Sequence, residues 1–586
     1  MKNNYIKINK NFKPLAISLV LSTLLTACGG HKNQPEKTAL DINLVGRAVL
    51  STNGSPEGAA EIVQYHKASN RVYAINSSSD IPTVEILELS KLNPAHLIKN
   101  KQGVITNTNL AITETLNLTT YTSGDANSIA ISEELNLLAV AIAAKETGVK
   151  GNIAFYDIKN KTPRFIKNVK VGYLPDMVTF SPNNKKVIVA NEGEPSGDYL
   201  TDPAGTISII NIDNGAIANK AIELNFHQYD NKQAELEAQG VMFANPTGRV
   251  IKGKLITTTV SMDLEPEYVA VTEDSSIAYV SMQENNALAV VDLTNNSLIK
   301  IIGLGFKDWS QYKLDASDKD GGMHFKQYEN LYGMYQPDTI ASYSWNNNDY
   351  IVTANEGDGR EYFFDSVNKE SCFFEGGLDY DKDDGCLAYT DEARAKKLTL
   401  DPINFASVTN SNDDLGRLKV STVKGDLDND GDFEQLYTYG ARSFTIWDTD
   451  GNVVFDSGDD IALITAQVHG EAFNNDEDEN KGDTRSDAKG AEPEALALGK
   501  INGKTYAFIG LERMSGIMVY DITNPVDAKF VDYFYNRGTV EGEKISGDLA
   551  PEGMKFIAAT ENTPARLLVG NEISGTVAVW EIAVKK

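Results

Sequence analysis

The sequence predicts an all-β fold: a seven-bladed β-propeller with loop insertions, its ring closed by the N-terminal strand. Three observations carry that reading. A unit of short β-branched strands separated by turn residues recurs roughly every 40 residues or more, the spacing of four-stranded blades. Most units open on a proline followed by an acid and carry an Asn-Glu-type pair after the second strand. The last unit leaves only AVKK (583–586) for an outer strand, whereas LDINLVGRAVL (40–50) is a strand without a unit.

The first unit opens at SPEGAAEIVQYHKASNRVYAIN (55–76), and a second without the proline runs through DANSIAIS to GNIAFYDI (125–158). LPDMVTFSPNNKKVIVANEG with GTISIINI (174–212) and EPEYVAVTEDSSIAYVSMQENNALAVVDL (265–293) are the clearest copies. QPDTIASYSWNNNDYIVTANEGDGREY (336–362) opens a fifth unit, whose later strands are expected to be LYTYG and RSFTIWDTDG. EPEALALGKINGKTYAFIGLERMSGIMVYDI (492–522) and APEGMKFIAATENTPARLLVGNEISGTVAVWEI (550–582) complete the set. Residues 40–586 thus read as one propeller with insertions at about 214–262, 303–336, 363–435 and 456–490, the first holding a helix near Gln233–Gln239. Closing the ring with the N-terminal strand also removes an exposed sheet edge.

Residues 1–27 read as a lipoprotein signal peptide. Lys2, Lys7, Lys10 and Lys13 precede the apolar LAISLVLSTLL (15–25), and Leu25-Thr26-Ala27-Cys28-Gly29 resembles a lipobox with Cys28 as the lipidated residue. Residues 28–39 then form a flexible tether, and the expected location is the outer membrane of a bacterial envelope. The other two cysteines, Cys372 and Cys386, flank a short acidic loop, and an oxidising compartment favours a disulfide between them.

The formal charge is −28; losing residues 1–27, with four lysines and no acid, takes it to −32. Such a field repels nucleic acid and attracts cations, so no nucleic-acid partner is expected, and the membrane is met through the lipid anchor alone. In an antiparallel meander the start of strand one and the end of strand two share an edge. The repeated acids should therefore open onto one face: Glu57, Asp176, Glu267, Asp338, Glu494 and Glu552 from the first set, Glu192, Glu284, Glu356, Glu512 and Glu572 from the second. At ~6 Å and an effective dielectric near 20, each like-charge pair costs roughly 3 kcal/mol. Divalent cations are the economical neutralisers, with Arg360, Arg442, Arg485, Lys489 and Arg513 close in sequence. The expected metal ligands are Glu267, Asp338, Glu356, Glu492 and Glu552. Proline followed by an acid is also ordinary turn chemistry, but turns alone do not require so many like charges on one face.

GDLDNDGDFEQLY (425–437) is a second, local signal for Ca²⁺. Asp426, Asp428, Asp430 and Asp432 alternate around Gly431 as in a calcium loop, although the twelfth position is Tyr437 rather than a bidentate Glu. There is no G-x-S-x-G, H-E-x-x-H, Walker loop or dinucleotide fingerprint, and six scattered histidines disfavour a His-rich zinc centre.

RSDAKGAEPEAL, SMDLEPEYVAV, QENNALAVVDL, ANEGDGREY, LYTYGARSFTIWD and NEISGTVAVWEI together resemble the choice-of-anchor I family of bacterial surface proteins, itself similar to mesenchyme-specific cell-surface glycoproteins. The resemblance spans nearly all of the mature chain. It implies a propeller related to YVTN and quinoprotein-like folds, and some relatives carry an alkaline phosphatase label. Where a KGPEPE-like form is expected, this chain has Lys489-Gly490-Ala491-Glu492-Pro493-Glu494, which keeps the acids. Two functions follow. One is a non-catalytic surface protein whose acidic face binds Ca²⁺, a phosphate-bearing ligand, mineral or a partner. The other is a calcium-dependent phosphoesterase in which Glu494 acts as base and Arg485, Arg360 and Arg513 stabilise charge. Without an identifiable nucleophile or metal-binding histidine, the binding reading leads.

Overall fold

The computed structural model describes residues 40–50, 56–79, 81–120 and 123–585. The expected signal peptide, Cys28 lipidation site and tether lie outside the described residues. What is described is dominated by strands, and among the described residues no helix is long and apolar enough to cross a membrane.

Among the described residues, seven antiparallel meanders follow one another. Their first strands are Val63–His66, Asp125–Ser132, Pro175–Phe180, Val269–Val271, Ile340–Trp345, Pro493–Ile501 and Pro551–Ile557. Each first strand touches the next in order, and that of the seventh meander returns to that of the first. This is a β-propeller. The seventh meander takes its outermost strand from the other end of the chain: Leu40–Val49 pairs antiparallel with Thr576–Val584. The near-continuous apolar runs of strands such as Leu137–Ala143 and Lys186–Asn191 explain the packing, because such a strand offers apolar side chains to the sheets on both sides. Ile188 and Ile207 of the third meander meet Val280 and Ala289 of the fourth, and Ile446 of the fifth meets Ile509 of the sixth. At several hairpin tips an asparagine takes the left-handed conformation that few other side chains tolerate, as at Asn70, Asn136 and Asn184.

The fifth meander corrects one expectation. Its third and fourth strands are Ser443–Trp447 and Val453–Asp456, and LYTYG is not among them. Leu436–Thr438 instead pairs parallel with Leu331–Met334 in a separate five-stranded sheet made by the insertions around 303–336 and 363–435. Leu436 is drawn there by its own apolar cluster with Trp309, Leu415, Leu418 and Val420. Lys307 pins this sheet to the propeller. Its buried ammonium lies 3.1 Å from Asp456 and donates to the carbonyls of Ala441 and Gly458.

The short helix in the first insertion runs Gln233–Glu237. Cys372 and Cys386 form a disulfide with a Cα–Cα distance of 5.4 Å, tying the helix Lys369–Phe374 to the strand Gly385–Thr390. Gly377 is needed beside it, since a Cβ there would collide with both sulfurs.

His469 closes the helix Asp460–His469 against Tyr533, whose hydroxyl lies 2.9 Å from its Nε2. Burial, then the positive charge of Arg537, lower its pKa from 6.5 to about 4. The unfolded chain therefore binds this proton first, and stability falls as pH drops through that window. Denaturant midpoints should decline between pH 6.5 and about 4, less steeply in His469→Gln; identical slopes would refute the assignment.

Candidate functional site: a carboxylate ring at the propeller axis

The ring acids are aimed by a repeated irregularity of the first strand. In the third meander Pro175 pairs with Asn191 and Val178 with Val189, so Asp176 and Met177 together face one residue. The same bulge places Glu494 and Ala495 in the sixth meander, and Glu552 and Gly553 in the seventh. A bulge unpairs a residue and turns its side chain out of the ladder, here toward the axis. The residue before each proline reinforces the aim. Leu174, Gln336, Glu492 and Ala550 all adopt positive φ, between 42° and 58°. That conformation is sparsely populated for non-glycine residues and further disfavoured before proline. It turns the carbonyls of Leu174, Glu492 and Ala550 to accept from the N–H groups of Glu192, Glu512 and Glu572 at 2.8–2.9 Å. The first-strand acid and the second-strand acid are thus held side by side by backbone geometry.

The expected first-set acid Glu57 is not in this ring. It sits on an exposed turn, and Glu61 takes the position. Val63 pairs with Ala74 two residues before Asn76, as Met554 pairs with Val569 two residues before Asn571. Ala60-Glu61 therefore matches Pro551-Glu552. Counting back from the second strand finds Glu61; counting from the proline does not. Glu61, Asp176, Asp338 and Glu552 line an axial cavity of about 40 Å³ together with Asn127 and Tyr268.

Around this cavity the carboxylates form groups. Glu192, Glu267 and Glu284 each offer an oxygen within 4.8 Å of the others; so do Asp338, Glu356 and Glu494, and Glu356, Glu492 and Glu512. Oε2 atoms of Glu267, Glu284 and Glu494 are buried with no hydrogen-bond partner. Burial first and neighbouring acids second push the carboxyls of Glu192, Glu267, Asp338, Glu494 and Glu552 well up. Asp176 rises to about 7 by burial and the charge of Glu194. Glu284 also rises to about 7 through burial, although Arg360 opposes it.

The expected cations divide by position. Lys489 lies 2.6 Å from Glu356, 3.3 Å from Glu492 and 3.6 Å from Asp358. Arg485 donates to Glu492 at 2.6 and 3.1 Å. Arg513 reaches Glu492 at 3.0 Å and Glu512 at 3.1 Å, and also pairs with Glu477. Burial opposes ionisation of Glu492, but Lys489 and Arg485 outweigh it and hold its carboxyl below the usual range. Arg485, Lys489 and Arg513 line a cavity of about 170 Å³ with Asp358, Glu361, Glu392, Lys419 and Tyr439. Arg485 and Lys489 are carried there by the charged tract 472–490, which folds over this face, whereas Arg513 follows the strand Lys504–Leu511. The Arg485 N–H donates to the Asn474 carbonyl, and Arg537 donates to the Asn475 side chain.

Arg360 and Arg442 lie elsewhere. The Arg360 side chain, 3% exposed, pairs with Asp263 at 3.1 Å and Glu265 at 2.9 Å. Arg442 donates to the carbonyls of Asp315, Ser486 and Ala488 and so fixes the loop beneath Lys489.

The calcium-like loop of the large insertion is held open by left-handed Asn429 and Gly431. Asp426 accepts the N–H groups of Asp430 and Gly431 at 3.2 and 3.1 Å. Asp426, Asp428 and Glu434 carry oxygens within 4.8 Å of one another, and so do Asp401, Asp432 and Glu434. Asp430 accepts from the Asp432 N–H. Glu434, at the ninth position, stands between the two groups, and Tyr437 packs against Tyr332 in the inserted sheet. Sequence spacing missed Glu434 because an EF-hand closes at the twelfth position.

The choice-of-anchor I domain model matches residues 61–525, most of the propeller and the 472–490 tract with it. The chain belongs to the choice-of-anchor I family. This member is 28% identical over 378 residues to the mesenchyme-specific cell surface glycoprotein of Strongylocentrotus purpuratus, covering 61% of this chain and 45% of that protein. It is 27% identical over 184 residues to Gigasin-3a of Magallana gigas, covering 29% of this chain and 64% of that protein. The chain thus spans less than two thirds of either relative. Solved structures similar to it include the Kuenenia stuttgartiensis hydrazine synthase (TM-score 0.40, 11% identity, 91% of this chain and 99% of that one). Another is the WD40 domain of Toxoplasma gondii coronin (TM-score 0.42, 9% identity, 94% of this chain and 88% of that one). Family and fold together make this choice-of-anchor I member a surface-associated β-propeller protein.

Proposed function

We propose that this propeller is a Ca²⁺-binding surface protein whose ion sits at Glu192, Glu267 and Glu284. One observation carries the reading: these three carboxylates converge, and among the described residues no cation pairs with any of them. Three hard oxygen donors that include buried, unpartnered atoms fit Ca²⁺ better than a softer metal. Bound Ca²⁺ would supply the positive charge that the fold leaves out there. Asp338, Glu552 and the Asp426–Glu434 loop extend the same chemistry. Anchoring through Cys28 at the outer membrane belongs to this proposal, as does recruitment of a phosphate-bearing ligand or mineral by the bound ion.

The phosphoesterase alternative has less support. Arg485 and Arg513 are engaged by Glu492, and Arg360 is enclosed by Asp263 and Glu265. Glu494 is the remaining candidate base.

Equilibrium dialysis against Ca²⁺, with thermal melting in parallel, tests the proposal. At a hundredfold excess over Kd, Ca²⁺ should stabilise the protein by about 2.7 kcal/mol. Glu267→Gln/Glu284→Gln should lose that gain yet melt no lower than wild type in EDTA, because like-charge repulsion is relieved. A wild-type melt indifferent to Ca²⁺ would refute the reading. Hydrolysis of p-nitrophenyl phosphate that requires Ca²⁺ and Glu494 would favour the enzyme instead.

A further inference from the structure

We infer that Lys489 is a tethered substitute for a divalent cation, its ammonium filling an ion position where the fifth and sixth meanders meet and so setting how many ions the acidic face holds. The inference rests on the cation-binding reading above, and its argument is a comparison of two junctions within one molecule.

Between the third and fourth meanders, the second-strand acid Glu192 faces the first-strand acid Glu267, and Glu284 completes the group. Between the fifth and sixth, the second-strand acid Glu356 faces the first-strand acid Glu494, and Asp338 completes the group. Both junctions set a second-strand acid against the next first-strand acid, although the third members differ: Glu284 follows the second strand of the fourth meander, and Asp338 precedes the first strand of the fifth. Among the described residues only the second of these groups is ion-paired to a cation, Lys489 at Glu356. Lys489 Nζ lies 2.6 Å from Glu356 Oε1 and 3.3 Å from Glu492 Oε2. A compact point charge at such distances occupies the space of a small ion. It supplies one charge where a divalent ion would supply two, and Glu494 Oε2 stays buried without a partner.

Lys489 arrives by a built route rather than by chance. The Gly490 N–H donates to the Arg485 carbonyl at 3.0 Å, and Gly490 takes the positive φ of 75° that turns the chain inward. Arg442 holds the carbonyls of Ser486 and Ala488 from below. The tract 472–490 therefore delivers an ammonium to one junction and leaves the other open.

Lys489→Met keeps the unbranched stem, one atom shorter, and removes the charge. After equilibrium dialysis against Ca²⁺, elemental analysis should find one more Ca²⁺ per chain in Lys489→Met than in wild type. That extra ion should vanish in Lys489→Met/Glu356→Gln and persist in Lys489→Met/Glu267→Gln, while Lys489→Arg should gain none. A folded Lys489→Met with wild-type stoichiometry would overturn the inference. If Lys489→Met folds only when Ca²⁺ is present, that rescue supports it; if Ca²⁺ does not rescue an unfolded variant, the inference fails. A wild type without Ca²⁺ would count against the Glu192 site alone, since the gain at Lys489 is read as a difference.

Discussion

Arg360→Met is expected to cost about 3–5 kcal/mol, the scale of breaking a buried ion pair from one side. Arg360 holds Asp263 and Glu265 through its two terminal nitrogens and donates to the carbonyls of Ala244 and Asp263 at 3.1 and 2.7 Å. All three side chains are buried. Removing the guanidinium leaves two carboxylates without their counter-charge, beside Glu284 and Glu194, which already repel Glu265. Arg360→Lys should recover only part of the loss, because one ammonium cannot reproduce the fork that meets two acids and two carbonyls. Arg360→Met/Asp263→Asn/Glu265→Gln should recover most of it by removing the stranded charges. Urea midpoints across these variants are the measurement. A loss below about 1 kcal/mol, the range of exposed pairs, would show that the arginine is not structural. Its placement makes Arg360 a strut beneath the ring rather than a group that reaches a substrate.

How much of this was legible follows from what each signal depends on. Strand identity and the meander repeat are local properties, so β-branched runs between turn residues located them well. The convergence of acids followed from topology, because both ends named by the repeat lie on one sheet edge. Two features depend on register rather than on local pattern. The proline points to Glu57, whereas register with the second strand places Glu61 at the ring position. The composition of LYTYG suits any buried strand, including one of the fifth meander, whereas its pairing with Leu331–Met334 depends on an insertion a hundred residues upstream. The pairing of Lys489 with Glu356 was also beyond local reading. Proximity in sequence explains why Lys489 is near Glu492, three residues on, but the fold alone brings it to Glu356.

Loss of the N-terminal strand should be the most damaging change of all. A chain beginning at residue 40 is expected to fold, and one beginning at residue 51 is expected to lose its cooperative transition. Leu40–Val49 makes nine paired positions with Thr576–Val584, so its removal exposes an unpaired edge at the last meander. Leu40 leaves a cluster with Phe508 and Trp580, and Val45 and Ala48 leave one with Leu568 and Val579. Burying each large aliphatic side chain contributes roughly 1.5–3 kcal/mol. Arg47 adds a charged anchor, with Nε 2.6 Å from Asp548 and donations to the carbonyls of Thr106 and Gly547 at 2.7 and 3.0 Å. Without it Asp548 stays buried and loses its ion pair, although Asn536 and Thr576 still donate to it. Together these losses rival the total stability of an ordinary domain, about 5–15 kcal/mol. Circular dichroism melts and size-exclusion profiles of the two chains decide the matter, and a peptide spanning residues 40–50 should restore the transition when added in trans. Equal midpoints for the two chains would mean that the seventh meander is stable with three strands. Arg47→Met in the longer chain separates the two contributions. If the anchor matters as the geometry requires, that variant loses about 3–5 kcal/mol while keeping the strand in place.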